Sequence, residues 1–447
     1  MHSQKSHAQS PLTSGGPARH LRIATWVCLL GTCIGPVASA ATPTAKDVVL
    51  DNPSASAAQP VVRPVPRWSA LATSLGDLGV SLLSETAQAG SNTVVSPLSV
   101  ASALGLVQLG AKGPTALELG FVLDSGASKS RRLSADMPAL LAALEPEKGA
   151  ANSPLTMANR IWVDKRVTEN ASPAFVATAK QRWKADGVVV PFATPEPTRN
   201  TINQWVAAQT GQRIKEVLPP GSVSGNTRFV VTNAVHFKAP WAQPFDAKLT
   251  QHAAFKVEGA APVQVPTMYD ERKVGWLKLP SGETLLELPF EGRQYALLVL
   301  MPAAGTSLAD AVRALQGADL TEPLGSLKPQ NCQLRIPKFK LTTSMASLKT
   351  PLEGMGVRQP FTDGADFSGL VGNKSDVKLD DVFHAASFEI DEAGGEASAA
   401  TAAVAVSKSF AALVPECAID RPFVFALLHK PTSATLFVGQ VANPAQQ

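Results

Sequence analysis

The chain has 447 residues, of which 45% are hydrophobic and 17% are charged, which is an ordinary globular composition. Its formal net charge of +4 is small for this length and gives no reason to expect nucleic-acid binding or a polybasic membrane surface. Length alone predicts two or three domains.

Residues 1–40 have the pattern of an export signal. Arg19 and Arg22 precede an apolar run from Ile23 to Val37, and small residues follow this run. The run is shorter than a membrane span requires, so a cleaved signal is favoured over an uncleaved anchor. We therefore expect a secreted or periplasmic protein that is not held in a membrane.

Residues 41–66 are rich in proline and alanine, which predicts a flexible, partly extended linker rather than part of a core. This linker and the long stretch before the apolar run point to a bacterial exported protein. Removal of the signal leaves two cysteines, Cys332 and Cys417. Their spacing does not decide between a disulfide and two buried thiols.

Helix signals dominate the first half of the chain. Leucines repeat at helical spacing after Ser69, and Ser96 followed by Pro97 is a typical helix start. A further helix is predicted from Thr198 to a glycine stop at Gly211, and Ser307 is predicted to cap a shorter one.

Strand signals dominate the second half, where β-forming residues are grouped between turn residues. Helices first and strands later predict an α+β fold with antiparallel sheets, and the continuous apolar runs predict sheets covered on both faces. The predicted strands are Phe229–Phe237, Thr284–Phe290, Tyr295–Met301, Cys332–Leu341, Phe423–Leu428 and Thr435–Val441.

The sequence contains no serine-hydrolase elbow, zinc-protease motif, phosphate loop or metal-ligand spacing. His236 and His384 lie near apolar strands, where a buried histidine is the commoner explanation than a catalytic or metal-binding one. The sequence therefore predicts no enzyme, no metal site and no cofactor.

The segment from Phe388 to Ser409 has an unusual composition. It begins as a strand and continues as a run of small residues whose main charge is Glu396, with no proline before Pro415. Small side chains lose little entropy when they become ordered, and a segment without proline can donate every hydrogen bond of a β-ladder. The segment is therefore suited to entering a sheet.

Eight motifs in a fixed order resemble those of the serpin family, over a stretch from about Arg67 to Pro444. Each motif alone is weak, but the ordered set is specific. The motifs lie at Asn92–Ser99, Asn159–Trp162, Thr232–Trp241, Val265–Met268, Ile336–Phe339, Phe361–Gly369, Glu392–Thr401 and Arg421–Phe425.

The resemblance implies one domain over residues 67–445, in place of the two or three suggested by length. It implies three β-sheets with eight or nine helices and an exposed reactive-centre loop at about 393–415. In this family a serine endopeptidase cleaves the loop and is trapped as an acyl-enzyme while the loop inserts into the main sheet. We accordingly expect a monomeric suicide inhibitor.

The start of the loop resembles the hinge of inhibitory serpins. In a strand the side chains alternate between faces, so small residues would face inward and Glu396 would face solvent. Gly395 departs from the family pattern, which has a small side chain there, and it raises the cost of ordering by about 0.5–1 kcal/mol. The hinge residues are Glu392, Gly394, Gly395, Glu396, Ala397, Ala399 and Thr401.

The usual family spacing of sixteen residues from Glu392 places the cleaved bond between Lys408 and Ser409. A lysine before the cleaved bond favours trypsin-like proteases, whose specificity pocket contains a carboxylate. The distal part of the loop is a few residues longer than in common members. Cleavage after Phe410, for a chymotrypsin-like target, or after Val406, for an elastase-like target, therefore stays open.

Three further groups carry roles by position in the resemblance. A polar cluster beneath the main sheet, called the shutter, would comprise Ser96, Ser99, Asn233 and His384. The point where insertion begins, called the breach, would comprise Trp241, Lys338 and Glu392, with an ion pair between the last two. Cys332 and Cys417 would lie on neighbouring strands and form a disulfide at the distal end of the loop.

Two other functions are alternatives to inhibition of a serine protease. A non-inhibitory serpin would act as a carrier or chaperone, but such members tend to have bulky or charged hinge residues. A cysteine protease is a further target class. The expected partner is a trypsin-like serine protease, with neither nucleic acid nor membrane involved.

Overall fold

The computed structural model describes ten stretches of the chain, and the statements below concern these residues. The signal and linker predicted at 1–66 lie outside them. The described residues are 68–124, 133–145, 153–168, 172–183, 185–318, 320, 327–345, 347–371, 377–394 and 414–446.

The described residues form ten α-helices, of which two have only four residues. They are α1 (Ser69–Thr86), α2 (Pro97–Gly110), α3 (Gly113–Leu123), α4 (Leu133–Ala143), α5 (Lys165–Thr168), α6 (Pro173–Trp183), α7 (Pro195–Gln209), α8 (Leu308–Ala314), α9 (Lys349–Gly354) and α10 (Ser368–Val371).

Three of the four predicted helix starts are confirmed. Helix α1 begins at Ser69, α2 begins at Pro97 with Ser96 as its cap, and the Ser307 side chain accepts a hydrogen bond at the start of α8. Helix α7 begins at Pro195, three residues before Thr198. Prolines are tolerated in the first turn, where amide groups have no intrahelical partner, so Pro195 does not delay this helix.

Fourteen strands are described. They are β1 (Thr93–Val95), β2 (Leu155–Asp164), β3 (Asp186–Val190), β4 (Phe229–Phe237), β5 (Gln251–Phe255), β6 (Val263–Lys278), β7 (Thr284–Pro289), β8 (Tyr295–Met301), β9 (Pro329–Pro337), β10 (Phe339–Met345), β11 (Asp381–Ile390), β12 (Glu416–Ala418), β13 (Phe423–His429) and β14 (Ala434–Val441).

The strands form two hydrogen-bonded networks. The larger has the order β1-β14-β13-β8-β7-β6-β9-β12, with β5 paired to β6. The long strand β6 pairs with β7 through residues 275–278, and with β5 and β9 through residues 263–275. It therefore joins the strands from β1 to β7 in this order to β5, β9 and β12. The second network is a five-stranded sheet with the order β10-β11-β4-β2-β3.

The prediction of one strand over Cys332–Leu341 is wrong. This stretch is two strands, β9 and β10, which belong to different networks and meet at Lys338. Pro337 has no amide hydrogen to donate, and the Lys338 amide donates to the carbonyl of Pro266 in β6. The chain therefore leaves one sheet and enters the other at this point.

The five-stranded sheet is covered on both faces at its centre. Ile202 and Val206 of α7 pack with Val230 and Ala234 of β4 on one face. The start of α2 lies against the other face, where its Ser99 carbonyl accepts a hydrogen bond from Asn233 of β4. Every residue of β4 is buried, as the continuous apolar run predicts.

None of the described helices combines the length and the apolar character that a membrane span requires. Within the same residues, no group of three or more histidine, cysteine or acidic side chains is placed to hold a metal ion.

Candidate functional site

The centre of the five-stranded sheet is a parallel pair, β4 and β11, in register from Asp381 opposite Val230 to Ser387 opposite His236. The boundary between these two strands is called the seam. The outer edge of β4 pairs antiparallel with β2, and the outer edge of β11 pairs antiparallel with β10. A strand added at the seam after a reversal at the end of β11 would run antiparallel to both neighbours.

The four predicted shutter residues lie together beneath the middle of the seam, and all four are fully buried. Asn233 and His384 are directly opposite each other on the two strands, and their side chains form a short hydrogen bond across the seam. The Ser96 amide donates to Nε2 of His384 at 3.2 Å, and the Asn233 side chain donates to the Ser99 carbonyl at 2.6 Å. The helix start at Ser96 is thus bound to both strands.

The hydrogen bonds of His384 require a neutral imidazole. Its Nδ1 faces the Asn233 oxygen, which can only accept, so Nδ1 carries the hydrogen and Nε2 accepts from the Ser96 amide. Burial lowers the pKa of His384 to about 3. A second proton would therefore break the contact with Ser96 and place a charge in the core.

At the end of β11 the predicted breach residues lie together. Lys338 Nζ is 2.8 Å from Glu392 Oε2, and Thr250 donates to Glu392 Oε1 at 2.7 Å. Burial alone would raise the pKa of Glu392, but the hydrogen bonds from Lys338 and Thr250 outweigh it and lower this pKa below its usual value. The Lys338 side chain is 36% exposed, so solvent screens the pair and its net stabilisation is small.

The main chain of the hinge is also bound to the segment after β4. The Trp241 indole donates to the Asp391 carbonyl at 2.8 Å, and the Trp241 amide donates to the Ala393 carbonyl at 2.8 Å. Trp241 is itself held by stacking on Phe290, with ring centroids 4.3 Å apart. These bonds fix where the loop leaves the sheet.

Gly394 occupies a position that only glycine fits. Its φ of +120° lies in the region that side chains rarely adopt. A Cβ atom there would overlap the Trp241 backbone nitrogen and would lie 2.5 Å from the Ala239 carbonyl oxygen. The glycine therefore allows the hinge to contact the backbone of residues 239–241 directly.

Cys332 and Cys417 are joined by a disulfide bond with a Cα–Cα distance of 5.6 Å. They lie on β9 and β12, which pair in parallel with Cys417 opposite Leu334. The two cysteines are fully buried. The bond thus attaches the strand that follows the loop to the larger network.

The remaining predicted site residues lie outside the described residues. These are the distal hinge, the proposed cleavage bond and its alternatives, namely Gly395, Glu396, Ala397, Ala399, Thr401, Val406, Lys408, Ser409 and Phe410. Their roles stay predictions.

Sequence reasoning missed three residues that complete the site. Asn159 of β2 accepts a hydrogen bond from Asn233 at 2.5 Å and extends the shutter to a third strand, and Thr250 completes the breach. The Asp391 carboxylate accepts from the amides of Ala393 and Gly394 and forms the turn after β11. An aspartate two or three residues before a glycine is a turn signal, so Asp391 was recognisable. Thr250 lies outside the quoted motifs.

Comparison with known proteins agrees with this arrangement. Residues 73–444 match the family described as serpin (serine protease inhibitor). The chain belongs to the serpin family. It is similar to the leukocyte elastase inhibitor of Bos taurus, with 34% identity over 371 residues that cover 79% of this chain and 93% of the relative. It is also similar to a serine protease inhibitor of Cyanea capillata, with 30% identity over 364 residues, 79% of this chain and 93% of the relative.

The serpin fold is shared with the solved structure of thyroxine-binding globulin in complex with thyroxine. The two superpose with a TM-score of 0.73 at 25% identity, over 84% of this chain and 99% of that chain. This serpin therefore has the α+β fold that its motifs implied, and its curated relatives carry the names of protease inhibitors.

Replacement of Gly394 tests the close approach of the hinge to residues 239–241. We expect Gly394→Ala to lower the free energy of unfolding by about 1–3 kcal/mol more than Gly356→Ala. Gly356 has a similar φ of +99°, but nothing lies within 4 Å of the Cβ that alanine would add. Urea unfolding of both variants measures the difference, and equal losses would show that the backbone contact is unimportant.

The neutral imidazole of His384 predicts a pH dependence of stability. The pKa of an unfolded histidine is about 6.5, so below this pH the unfolded chain binds a proton that the native chain excludes. The stability from His384 is present above about pH 6.5 and falls as the pH approaches 3, by about 1.4 kcal/mol per pH unit.

The measurement is the free energy of urea unfolding between about pH 5 and pH 7. The variant His384→Gln should have a slope against pH that is smaller by about one proton than the slope of the unaltered protein. An unchanged slope in His384→Gln would contradict the assignment of a neutral buried imidazole.

Proposed function

We propose that this serpin is an exported suicide inhibitor of serine endopeptidases. The observation that carries the proposal is the seam, a buried parallel pair at the centre of a sheet, with the hinge bound at its end. The names of the curated relatives support an inhibitory role. The signal pattern in residues 1–40 supports export to the periplasm or the medium.

The proposed mechanism uses the loop as a substrate. The serine of the protease attacks the carbonyl carbon of Lys408, an ester forms, and Ser409 leaves as a new amino terminus. The loop before the break is then free to enter the seam as a strand antiparallel to β4 and β11. Insertion moves the attached protease along the sheet before water can cleave the ester.

The composition of the hinge supports insertion rather than simple cleavage. The seam is covered by α7 on one face and by the start of α2 on the other, so an entering strand has room only for small side chains. Alternate residues of the loop, Ala397, Ala399 and Thr401, are small. A strand with bulky or charged residues in these places would have to separate packed helices.

Two of the similar proteins favour a different target or a different function. Relatives named leukocyte elastase inhibitor favour cleavage after Val406 and an elastase-like target. The solved structure of thyroxine-binding globulin with thyroxine favours a non-inhibitory carrier. The small hinge residues weigh against the carrier, and Lys408 remains the proposed residue before the cleaved bond.

Incubation with trypsin tests the target and the bond. We expect a covalent complex that survives heating in detergent, with release of a peptide whose amino terminus is Ser409. The variant Lys408→Ala should lose this complex, whereas Lys378→Ala, which changes a half-exposed lysine elsewhere, should retain it.

Two other outcomes of this incubation would contradict the trypsin assignment. A complex formed with elastase and cleaved after Val406 would replace the trypsin assignment. Cleavage by every protease tried, without any complex, would reject the inhibitory function.

Replacement of an inward-facing hinge residue tests insertion itself. Ala399→Arg should turn the inhibitor into a substrate, because an arginine buried beneath the helices has no partner. The control Ala400→Arg places the same charge on the solvent face of the inserted strand and should still trap protease.

The measurement is the ratio of cleaved to trapped protein. We expect Ala399→Arg to raise it by about tenfold or more, since each 1.4 kcal/mol of cost to insertion changes this partition about tenfold. Equal ratios in the two variants would contradict insertion of the loop in this register.

A further inference from the structure

A cavity of about 290 Å³ lies beside the seam, on the face of the five-stranded sheet that α7 covers. Its floor is formed by Ser387 of β11 and Lys340 of β10, and residues 211–213, which follow α7, form its other side. Ser387 is two residues beyond Ala385, which packs in the core beneath α7, so both side chains point to this face. The volume is at the lower end of the range for cavities that hold small molecules. This space is called the seam cavity.

The charged groups around the seam cavity are mostly basic. Arg213 and Lys340 line it, and Lys238 follows two residues after His236 of β4. Glu389 lies opposite Lys340 on the same face, with its Oε2 3.3 Å from the lysine Nζ. This carboxylate offsets one positive charge, so the three cations and one carboxylate still leave the cavity positive.

His236 lies directly opposite Ser387 across the seam, so its side chain is on the same face. The residue is 8% exposed, and neither ring nitrogen has a hydrogen-bond partner of normal geometry among the described residues. Burial and the nearby charge of Arg213 lower the pKa of His236 to about 4, although the Ser387 backbone acts in the opposite direction. The ring is therefore neutral at neutral pH and has one N–H to donate. Buried polar groups are nearly always paired, so a ligand could supply the missing acceptor.

We propose that the seam cavity binds a tetrahedral oxyanion of the phosphate or sulfate class. Arg213 and Lys340 would balance its charge, and the Ser387 hydroxyl and the His236 N–H would donate hydrogen bonds to its oxygens. A guanidinium matches two oxygens of such an anion at once, and a lysine adds a point charge. The basic groups would repel a cation, and an apolar ligand would leave the buried imidazole unpaired.

The seam cavity keeps this form only while β4 and β11 are paired. A strand inserted at the seam would move Ser387 and His236 from one strand spacing, about 4.8 Å, to two, about 9.6 Å. A ligand that binds one conformation and not the other stabilises the first by mass action. This consequence rests on the proposed inhibitory function: a bound oxyanion should hold the uninserted form and slow entry of the cleaved loop.

Isothermal titration calorimetry of the intact protein tests the site. The titrants are inorganic phosphate, sulfate and tripolyphosphate, in a buffer free of both ions, with the ionic strength held constant by sodium chloride. We expect saturable binding of one anion per chain. Lys340→Gln and Arg213→Gln should each weaken it about tenfold or more, because each removes a charge-assisted contact. The control Lys273→Gln removes the same charge from an exposed position on β6 and should keep the original affinity.

The three anions also distinguish the source of the bound group. Equal or tighter binding of free phosphate and sulfate assigns the cavity to a small inorganic ion. Tighter binding of tripolyphosphate, again weakened in Lys340→Gln, assigns it to a phosphate group carried on a larger molecule. No saturable binding of any of the three, or equal affinity in Lys340→Gln and Lys273→Gln, would overturn the proposal.

The role of His236 has its own test. A bound anion offsets the repulsion from the basic groups and raises the pKa of His236 toward the ordinary value of about 6.5, so the complex takes up a proton that the free protein excludes. Sulfate keeps its charge in this range, and its affinity should therefore rise severalfold as the pH falls from about 7 to about 5. His236→Gln should lose most of this dependence. A pH-independent affinity in the unaltered protein, or an unchanged dependence in His236→Gln, would contradict the role of His236.

The effect on trapping is measured separately, so that the site and the proposed function can fail independently. With trypsin, a saturating concentration of the anion should raise the ratio of cleaved to trapped protein severalfold in the unaltered protein and far less in Lys340→Gln. An unchanged ratio at full occupancy would show that the site does not control the seam. Absence of any complex, with or without the anion, would reject the inhibitory function and leave the calorimetric result to decide the site.

Discussion

The arrangement of this protein depends on the parallel pairing of β4 and β11 at the centre of a five-stranded sheet. Parallel ladders are slightly less stable per residue than antiparallel ones, and here the two strands come from parts of the chain about 150 residues apart. Directly after β11 the chain turns at Asp391, and the carbonyls of Glu392 and Ala393 accept from the amides of Phe245 and Trp241 in the segment after β4. A strand entering there would replace one parallel ladder by two antiparallel ladders, and the sheet would then be more fully hydrogen-bonded.

Two groups of side chains oppose that rearrangement, and they differ in strength. The breach contains a half-exposed ion pair, which water and salt weaken. The shutter is fully buried, and opening the seam would leave Asn233 and His384 without the hydrogen bond that joins them. Unpaired buried polar groups are costly. In the proposed insertion, entry at the end of β11 would therefore be the easier step, and passage across the shutter would be the harder one.

The sequence predicted the parts of this arrangement that depend on local pattern. Ser96 followed by Pro97 marks a helix start, and continuous apolar runs predicted β4 and β8 with their observed ends. The site residues came from the family motifs, and the resemblance also implied two of the contacts, the Lys338–Glu392 ion pair and the Cys332–Cys417 disulfide, but not the others. The pairing of Asn159 with Asn233 depends on the antiparallel register of β2 and β4, and β2 carries no clear strand signal because polar residues interrupt it. The break at Lys338 depends on a hydrogen bond to Pro266, a residue far away in the chain.

A crystal structure of the protein after cleavage within the loop would show whether the seam opens to accept the loop. We expect a six-stranded sheet in which loop residues lie antiparallel between β4 and β11. Asn233 and His384 would then be separated by two strand spacings, about 9.6 Å, in place of one. A structure of the cleaved protein in which β4 and β11 still pair directly, with the loop outside the sheet, would contradict it.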